Sequence, residues 1–151
     1  MELKEIGIVD SDIKKFSEVR HLSRGWTDDM CVIKLKSQYK GGLGGLSGYS
    51  HVIILFWVSQ HKQWKIPKNS RKPKEVKVFA TRMPVRPNPI GLSTVKLLDF
   101  STEDGTITVK GLDAIDGTPI IDIKPYMPHF DCYPEATVPE WLKKHIKKYH
   151  D

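Results

Sequence analysis

The sequence predicts a mainly β fold, either a sandwich or a barrel, with few helices. Short runs rich in β-branched and aromatic residues recur along the chain, and the 11 glycines and 10 prolines separate them. Helical patterns are rare by comparison. Strand and helix patterns do not alternate, so a doubly wound parallel sheet is not predicted.

Seven runs have the pattern of a strand. In chain order they are residues 5–9, 30–36, 51–58, 76–80, 92–100, 106–112 and 119–123. The third run is continuously apolar, which predicts a strand buried on both faces, whereas the sixth alternates, with Ile107 and Val109 facing one way. Asp104-Gly105 before the sixth run indicates a tight turn. Cys31 lies in the second run and is expected to be a buried, unreactive thiol.

Two segments have helical patterns. Residues 11–20 place Ile13, Phe16 and Val19 at helical spacing. Residues 137–150 begin with a capping-box sequence and continue as an amphipathic helix with lysines on one face. The glycine-rich segment 39–50 matches no phosphate-binding motif and is expected to be a flexible loop that leads into the third strand.

Length and composition favour one globular domain over residues 1–151. The chain has 151 residues, 39% hydrophobic and 28% charged, which is enough for a packed core. The longest purely apolar run, 52–58, is far shorter than the ~20 residues of a membrane-spanning helix, and the N-terminus lacks the apolar centre of a signal peptide. Two cysteines far apart in the sequence predict neither a disulfide framework nor a metal cluster. We therefore expect a cytoplasmic protein without a membrane span or a metal site.

The net charge is +6, and much of the positive charge lies in two stretches. Residues 61–77 hold seven basic side chains against the single acid Glu75, with Trp64 among them, and residues 141–150 hold four lysines. Such a run is either a solvated face or a phosphate-binding surface with a ring that stacks on a base. The predicted nucleic-acid contacts in the first stretch are Lys62, Trp64, Lys65, Lys68, Arg71 and Lys72.

Residues 78–93 form a long segment whose backbone is restricted by three prolines, while Gly91 allows a sharp turn. A rigid loop of this length is typical of functional sites, and it presents Arg82 and Arg86. The two arginines either bind an anionic ligand or satisfy carbonyl groups of the loop. Arg86 is predicted to be a further nucleic-acid contact.

Three blocks of the sequence together resemble the TsaA-like family of small β-barrel proteins. They are GYSHVIILFWVSQ at 48–60, VFATRMPVRPNPIGLS at 78–93 and GLDAIDGTPIIDIKPY at 111–126, with a weaker fourth, EIGIV, at 5–9. The family's best-understood members are S-adenosylmethionine-dependent methyltransferases of the TrmO type, which methylate N6 of threonylcarbamoyladenosine beside the tRNA anticodon. The resemblance implies a single compact β-barrel, S-adenosyl-L-methionine as cofactor, the anticodon arm of tRNA as partner, and a homodimer.

The resemblance also implies which residues bind the methyl donor. They are Ser59, Gln60, Arg82, Leu92, Lys110, Gly111, Leu112 and Asp113. Ser59 departs from the family pattern, which usually has histidine there. Residues 18–26, EVRHLSRGW, do not match the Pro-Arg-Gln-like motif that the family has after its first strand.

The chemistry of the donor agrees with these residue types. An arginine such as Arg82 can hold the donor's carboxylate with two hydrogen bonds, and Asp113 can accept from its amine or a ribose hydroxyl. Methyl transfer needs alignment of donor and acceptor, and the acceptor nitrogen must lose a proton. Asp116, Asp122 and Tyr126 are the candidate bases. The competing hypotheses are a non-catalytic module that binds S-adenosylmethionine or RNA, and a methyltransferase for another substrate.

Overall fold

The computed structural model describes residues 1–15, 29–58 and 72–144, and six antiparallel strands within them close into a barrel. The strands are β1 (Gly7–Asp10), β2 (Met30–Leu35), β3 (His51–Trp57), β4 (Ile90–Ser101), β5 (Thr106–Lys110) and β6 (Pro119–Pro125). Their order around the barrel is β1-β2-β5-β4-β3-β6, and β6 pairs with β1 to complete it. The predicted mainly β barrel is confirmed.

Alternation of side chains along each strand builds the core. The inward residues are mostly β-branched, as expected for a pleated surface packed on one side. The most deeply buried are Val9, Ile33, Val52, Ile54, Val95, Ile107, Val109 and Ile120. The prediction that β3 is buried on both faces is wrong, because only Val52, Ile54 and Phe56 point into the core and the alternate residues are half-buried.

β4 is the longest strand and connects two parts of the barrel. Its residues 90–96 pair with β3, and its residues 96–101 pair with β5. A register shift between Leu97 and Asp99 accompanies the pairing with β5. Because β5 ends opposite Lys96, the chain that follows β5 is directed toward the first residues of β4. This arrangement brings two of the sequence blocks together.

The strand predicted at 76–80 is wrong, since Val78–Ala80 forms one turn of 3-10 helix. The carbonyl of Val78 accepts hydrogen bonds from the Thr81 hydroxyl, at 2.8 Å, and from the Arg86 guanidinium, at 3.2 Å. Side chains of its own loop therefore satisfy this backbone group, and a neighbouring strand is not needed to do so.

The glycine-rich segment is also more ordered than a flexible loop. Ser37–Leu43 forms a 3-10 helix, and Leu43 and Leu46 are buried in the core. Gly45 and Gly48 have φ of 87° and 90°, which residues with a Cβ rarely adopt. The segment thus covers one end of the barrel, with glycines at its sharp turns.

Of the helical predictions, the described part of 11–20, residues 11–15, is not helical, and the remainder lies outside the described residues. Residues 140–144 are helical, and the rest of the predicted 137–150 helix lies outside. A short helix that was not predicted, α1 (Pro128–Asp131), follows β6. Among the helices of the described ranges, none has the length and apolar character needed to cross a bilayer.

Cys31 is buried in β2, as predicted from its place in a strand pattern. Burial, together with the nearby Asp10 carboxylate, raises the pKa of its thiol to about 12. Because the thiolate is the reactive form of cysteine, this side chain is chemically inert at neutral pH.

Candidate functional site

Three of the residues predicted to bind the methyl donor meet near the start of β4. Arg82 donates a hydrogen bond from Nη2 to the Leu92 carbonyl oxygen at 2.8 Å. The same guanidinium acts electrostatically on the Asp113 carboxyl group. We refer to Arg82, Leu92 and Asp113 as the Arg82 cluster. The cluster combines residues from two of the three sequence blocks.

The chain after β5 determines where Asp113 lies. Gly111 has φ of 90°, and its amide donates to the Asp29 carbonyl oxygen at 3.0 Å. Leu112 and Ala114 on either side of Asp113 are buried, so they fix the backbone and leave the carboxyl group half-buried. A glycine is needed at the turn because a Cβ disfavours this φ.

Burial makes Asp113 a weaker acid than an exposed aspartate. It raises the pKa of the Asp113 carboxyl to about 6, while the positive charge of Arg82 opposes the increase. A carboxyl group with this pKa is ionised at neutral pH and protonated under mildly acidic conditions. It is therefore a charged hydrogen-bond acceptor for a cationic ligand at pH 7 and an uncharged, weaker one below pH 6.

The loop that carries Arg82 is held by Arg86. Arg86 Nη1 donates to the carbonyl oxygens of Val78, Thr81 and Met83 at 3.2, 2.7 and 3.3 Å. The Met83 amide donates to the Thr81 hydroxyl at 3.3 Å. Of the two arginines that the sequence left open, Arg86 thus satisfies three loop carbonyls, whereas Arg82 donates to the Leu92 carbonyl and is exposed. The RNA contact of Arg86 stays a prediction.

The 3-10 turn Val78–Ala80, just before Arg82, exposes the ring of Phe79, which the sequence patterns did not single out. Phe79 is 80% exposed, although Val78 beside it is buried. The only signal in the sequence was an aromatic residue between a basic stretch and a proline-rich loop.

Asp116, one of the three candidate bases, is engaged with the segment that follows β1. Its carboxylate accepts from the Ser11 amide at 3.0 Å and pairs with Lys14 Nζ at 2.8 Å. The Lys14 hydrogen bond, followed by that from Ser11, lowers the pKa of Asp116. A carboxylate stabilised in its charged form is a weak proton acceptor.

Asp122 and Tyr126 both lie on or just after β6. Asp122 is in register with Leu55, which is in register with Leu92, so the three share one row on the outer face. With strands about 4.8 Å apart, Asp122 and Leu92 are roughly 10 Å apart. The Asp122 carboxylate pairs with Lys124 Nζ at 2.6 Å. The Tyr126 amide donates to the carbonyl oxygen of His51, so Tyr126 lies four residues farther from Leu92 along β3 than Leu55 does. Burial raises the pKa of the Tyr126 hydroxyl.

A cavity of about 470 Å³ lies where β2 and β6 end, on the side that the glycine-rich segment covers. Tyr39, Tyr49 and Asp122 are among its lining residues. Arg82, Leu92 and Asp113 do not line it, so this cavity and the Arg82 cluster are separate places in the barrel.

Of the other predicted site residues, some lie within the described ranges and others lie outside them. Lys110 is in register with Met30 and Lys96 at the end of β5, and Gly111 and Leu112 connect it to Asp113. Lys72 donates from Nζ to the Val76 carbonyl oxygen. The predictions for Ser59, Gln60, Lys62, Trp64, Lys65, Lys68 and Arg71 fall outside the described residues. Within the described ranges, no three His, Cys, Asp or Glu side chains are grouped as metal ligands would be.

Comparison with known proteins places these features in a wider context. Residues 8–132 match the family model of the tRNA-methyltransferase O N-terminal domain. An S-adenosyl-L-methionine-binding protein of Archaeoglobus fulgidus is 38% identical over 135 residues, which cover 87% of this chain and 94% of that protein. The tRNA (adenine(37)-N6)-methyltransferase of Escherichia coli (strain K12) is 34% identical over 146 residues, which cover 90% of this chain.

The solved structures give the same result for the fold. A crystal structure of TrmO superposes with a TM-score of 0.77 and 31% identity over 91% of this chain. The chain spans 62% of the length of that structure and 62% of the Escherichia coli enzyme. It spans 37% of a second, longer Archaeoglobus fulgidus relative.

Proposed function

The chain belongs to the tRNA-methyltransferase O N-terminal domain family, and from that premise we propose that it uses S-adenosylmethionine to methylate an adenosine of tRNA. The observation that carries the proposal is the family match over residues 8–132, which includes every member of the Arg82 cluster. We propose as acceptor N6 of threonylcarbamoyladenosine beside the anticodon, in the cytoplasm where tRNA is modified. The Escherichia coli relative is named for methylation at N6 of adenine 37.

The residues of the cluster fit the methyl donor. The exposed Arg82 guanidinium has the geometry and charge to bind the donor's carboxylate, and the half-buried Asp113 carboxylate can accept from its amine or a ribose hydroxyl. The Gly111 turn leaves backbone without a side chain beside them. We propose that Ser59, Gln60, Leu92, Lys110 and Leu112 complete the binding site.

When bound, S-adenosylmethionine supplies a methyl group on a sulfonium, and this chain has two tasks. The first is to hold the donor so that the acceptor nitrogen approaches in line at roughly 3–3.5 Å, which Arg82 and Asp113 serve. The second is to accept the proton of the acceptor nitrogen. Asp116, Asp122 and Tyr126 stay the proposed bases. Asp122 shares the outer row with Leu92, roughly 10 Å away, and is itself paired with Lys124. The hydrogen bonds from Lys14 and Ser11 that lower the pKa of Asp116 argue against that residue.

The basic stretch next to the loop is the proposed RNA surface. In its described part, Lys74 and Lys77 are exposed, and Lys72 is half-buried. We propose that these lysines, with Lys62, Trp64, Lys65, Lys68 and Arg71, bind the backbone of the anticodon arm.

Neutralising three of these lysines tests the RNA surface. Replacing Lys72, Lys74 and Lys77 with glutamine is expected to weaken tRNA binding and to make it less dependent on salt. The reason is that binding releases fewer counterions from the RNA when fewer phosphates are contacted. The slope of log K against log[salt] is negative, and its magnitude should decrease by about 0.7–0.9 for each lost contact. Titrations at several salt concentrations measure the slope. A triple variant with the wild-type slope would show that this stretch is only a solvated face.

Donor affinity is expected to fall below pH 6. The carboxylate form of Asp113 accepts the donor's hydrogen bond, and the raised pKa of about 6 means that it is protonated in acid. The dissociation constant for S-adenosylmethionine should therefore rise by up to tenfold per pH unit below 6. Calorimetry from pH 5 to 8 on the wild type and on Asp113→Asn measures this effect, and Asp99→Asn serves as a matched exposed control. A wild-type constant independent of pH would remove Asp113 from the donor site.

Protonation of Asp113 is expected to stabilise the folded protein, although it weakens donor binding. Because the folded-state pKa of Asp113 is above its unfolded value, the folded protein binds this proton more tightly between about pH 4 and 6. The contribution of Asp113 to the free energy of unfolding therefore increases as the pH falls through this window. If donor affinity falls with pH while the Asp113 contribution to stability rises, the loss of affinity is due to protonation of Asp113 and not to unfolding.

We also propose a homodimer that uses the outward apolar side chains of β3 and β4. Leu55 and Trp57 are half-buried, while Ile90 and Leu92 opposite them are 39% and 46% exposed. Side chains of this kind are stabilised when a second surface covers them. Light scattering on the wild type and on Ile90→Glu tests the proposal, since a charged side chain there should yield monomers. A monomeric wild type would contradict it.

A non-catalytic donor-binding module is the second candidate. It is favoured by the Archaeoglobus fulgidus relative of similar length, which is named only for binding S-adenosylmethionine. Calorimetry with S-adenosylmethionine and nucleoside mass spectrometry of tRNA from cells lacking this chain separate the two. We expect micromolar binding, and loss of one methylated adenosine that the purified protein restores in vitro. Binding without restored methylation would favour the module, and absence of binding would overturn both.

A further inference from the structure

We propose that the ring of Phe79 is a stacking platform for an unpaired base of the RNA that this chain methylates. The proposal rests on the proposed function and adds to it the residue that holds the substrate beside the methyl donor. Phe79 is 80% exposed, the most of any phenylalanine in the described ranges. A ring that is so exposed buries little apolar surface and contributes little to the core of the barrel.

The turn orders the backbone of Phe79, although its ring is 80% exposed. Val78 is buried on one side, and the Arg86 guanidinium binds three carbonyl oxygens of the loop at 2.7 to 3.3 Å. The Ala80 and Thr81 amides donate to the Lys77 and Val78 carbonyl oxygens at 3.1 Å. A stacking residue loses less conformational entropy on binding when its backbone is already ordered. This turn meets that requirement.

The charges around Phe79 favour RNA over a protein partner. Lys74 and Lys77 are exposed just before it, and Arg82 is exposed just after it. Lysine is depleted from the cores of protein interfaces, whereas cations interleaved with an aromatic ring are typical of surfaces that bind single-stranded nucleic acid. The ring can stack on any base because every base has a π face.

The position of Phe79 relative to the Arg82 cluster agrees with this role. Phe79 and Arg82 are three residues apart, so their Cα atoms are separated by at most about 11 Å. A base stacked on Phe79 and a base at the Arg82 cluster can belong to the same RNA loop at this separation. The ring can therefore hold either the acceptor base or a neighbour of it in the loop.

Binding of two RNAs of equal charge tests the proposal. The first probe is an anticodon stem-loop RNA, and the second is a fully paired duplex with the same number of phosphates and no unpaired bases. Phe79→Ala is expected to weaken stem-loop binding about 10-fold and to leave duplex binding unchanged. Phe79→Tyr, which keeps a ring, and Phe130→Ala, which removes a 63% exposed ring elsewhere, should remain within about 2-fold of the wild type.

Donor affinity and oligomeric state separate this proposal from its alternatives. Calorimetry on Phe79→Ala should give an unchanged dissociation constant for S-adenosylmethionine, and light scattering an unchanged mass. Equal losses for both RNAs, or unchanged stem-loop binding, would overturn the proposal. A change in mass would assign the ring to a contact with a second copy of the chain. A wild type that binds the stem-loop but neither binds nor uses S-adenosylmethionine would refute the proposed function, and the stem-loop comparison would still decide the role of Phe79.

Discussion

Replacing Arg82 with alanine is expected to weaken S-adenosylmethionine binding about 100-fold, the largest functional effect of any single change in the described site. Arg82 is the cation of the cluster, and a hydrogen bond between charged groups contributes about 1.5–3 kcal/mol. Its loss also removes the positive charge that opposes the increase in the pKa of Asp113. The pH midpoint of donor binding in the variant should therefore move above 6. Calorimetry over a range of pH measures both effects.

Two further variants make the Arg82 result interpretable. Arg82→Lys keeps the charge but loses the planar two-pronged geometry, so it should restore the pH midpoint and only part of the affinity. Lys40→Ala removes a half-buried cation whose Nζ donates to the Glu103 carbonyl oxygen at 3.1 Å, and it should leave donor binding within about 2-fold of the wild type. If Arg82→Ala bound the donor as the wild type does, the cluster would not be the donor site.

Replacing Gly91 with alanine is expected to destabilise the barrel by about 2 kcal/mol and to impair donor binding as a consequence. A Cβ at Gly91 would lie 2.2 Å from Cε2 and 2.3 Å from Cζ of Phe56, whose ring is 4% exposed in the core. The ring must move within a packed interior, and such overpacking costs about 1–3 kcal/mol. For a chain of this size the melting temperature should fall by roughly 4–8 °C. Leu92 is the next residue, so the Arg82 cluster should be displaced as well.

Glycine substitutions elsewhere in the chain provide the control for this result. A Cβ at Gly42 would meet no atom within 4 Å, so Gly42→Ala should change stability by less than about 0.5 kcal/mol. Phe56→Leu shortens the clashing side chain, so the double variant Phe56→Leu/Gly91→Ala should be more stable than the sum of the two single changes predicts. Additive losses, or a melting temperature of Gly91→Ala equal to that of the wild type, would show that the ring does not fill this space.

The strands were predictable because their signals are local. Alternation along Thr106–Lys110, and the Asp104-Gly105 turn before it, depend on side-chain period and on backbone conformations that neighbouring residues dictate. Gly105 has φ of 70°, and the Asp104 carboxylate and amide both bond the Ser101 hydroxyl. The prediction failed at Val78–Ala80, where a hydrophobic run resembles a strand but an arginine eight residues away satisfies the Val78 carbonyl group.

The residues of the site were predictable as types, whereas their roles were not. Arg82 and Arg86 stand in the same proline-rich loop, and the sequence left both the ligand-binding and the carbonyl-binding interpretation open for each of them. The structure separates them: Arg86 is half-buried and donates to three loop carbonyls, whereas Arg82 is exposed, donates to the Leu92 carbonyl and acts electrostatically on the Asp113 carboxyl. Asp116 and Asp122 were equivalent in the same way; both are ion-paired, with Lys14 and Lys124, but only Asp116 also accepts a hydrogen bond from the Ser11 amide.

The sequence by itself determined that this protein is mainly β, where most of its strands lie, and to which family its three motif blocks belong, because side-chain period, turn chemistry and motif strings are properties of contiguous residues. Only the tertiary structure decided the strand order β1-β2-β5-β4-β3-β6, which brings Asp113 beside Arg82 and Leu92. It also decided which arginine holds the loop and that the Phe79 ring faces solvent. Pairing between distant strands, and the burial that raises the pKa of Asp113, arise from contacts between residues far apart in the chain, and local patterns carry no record of them.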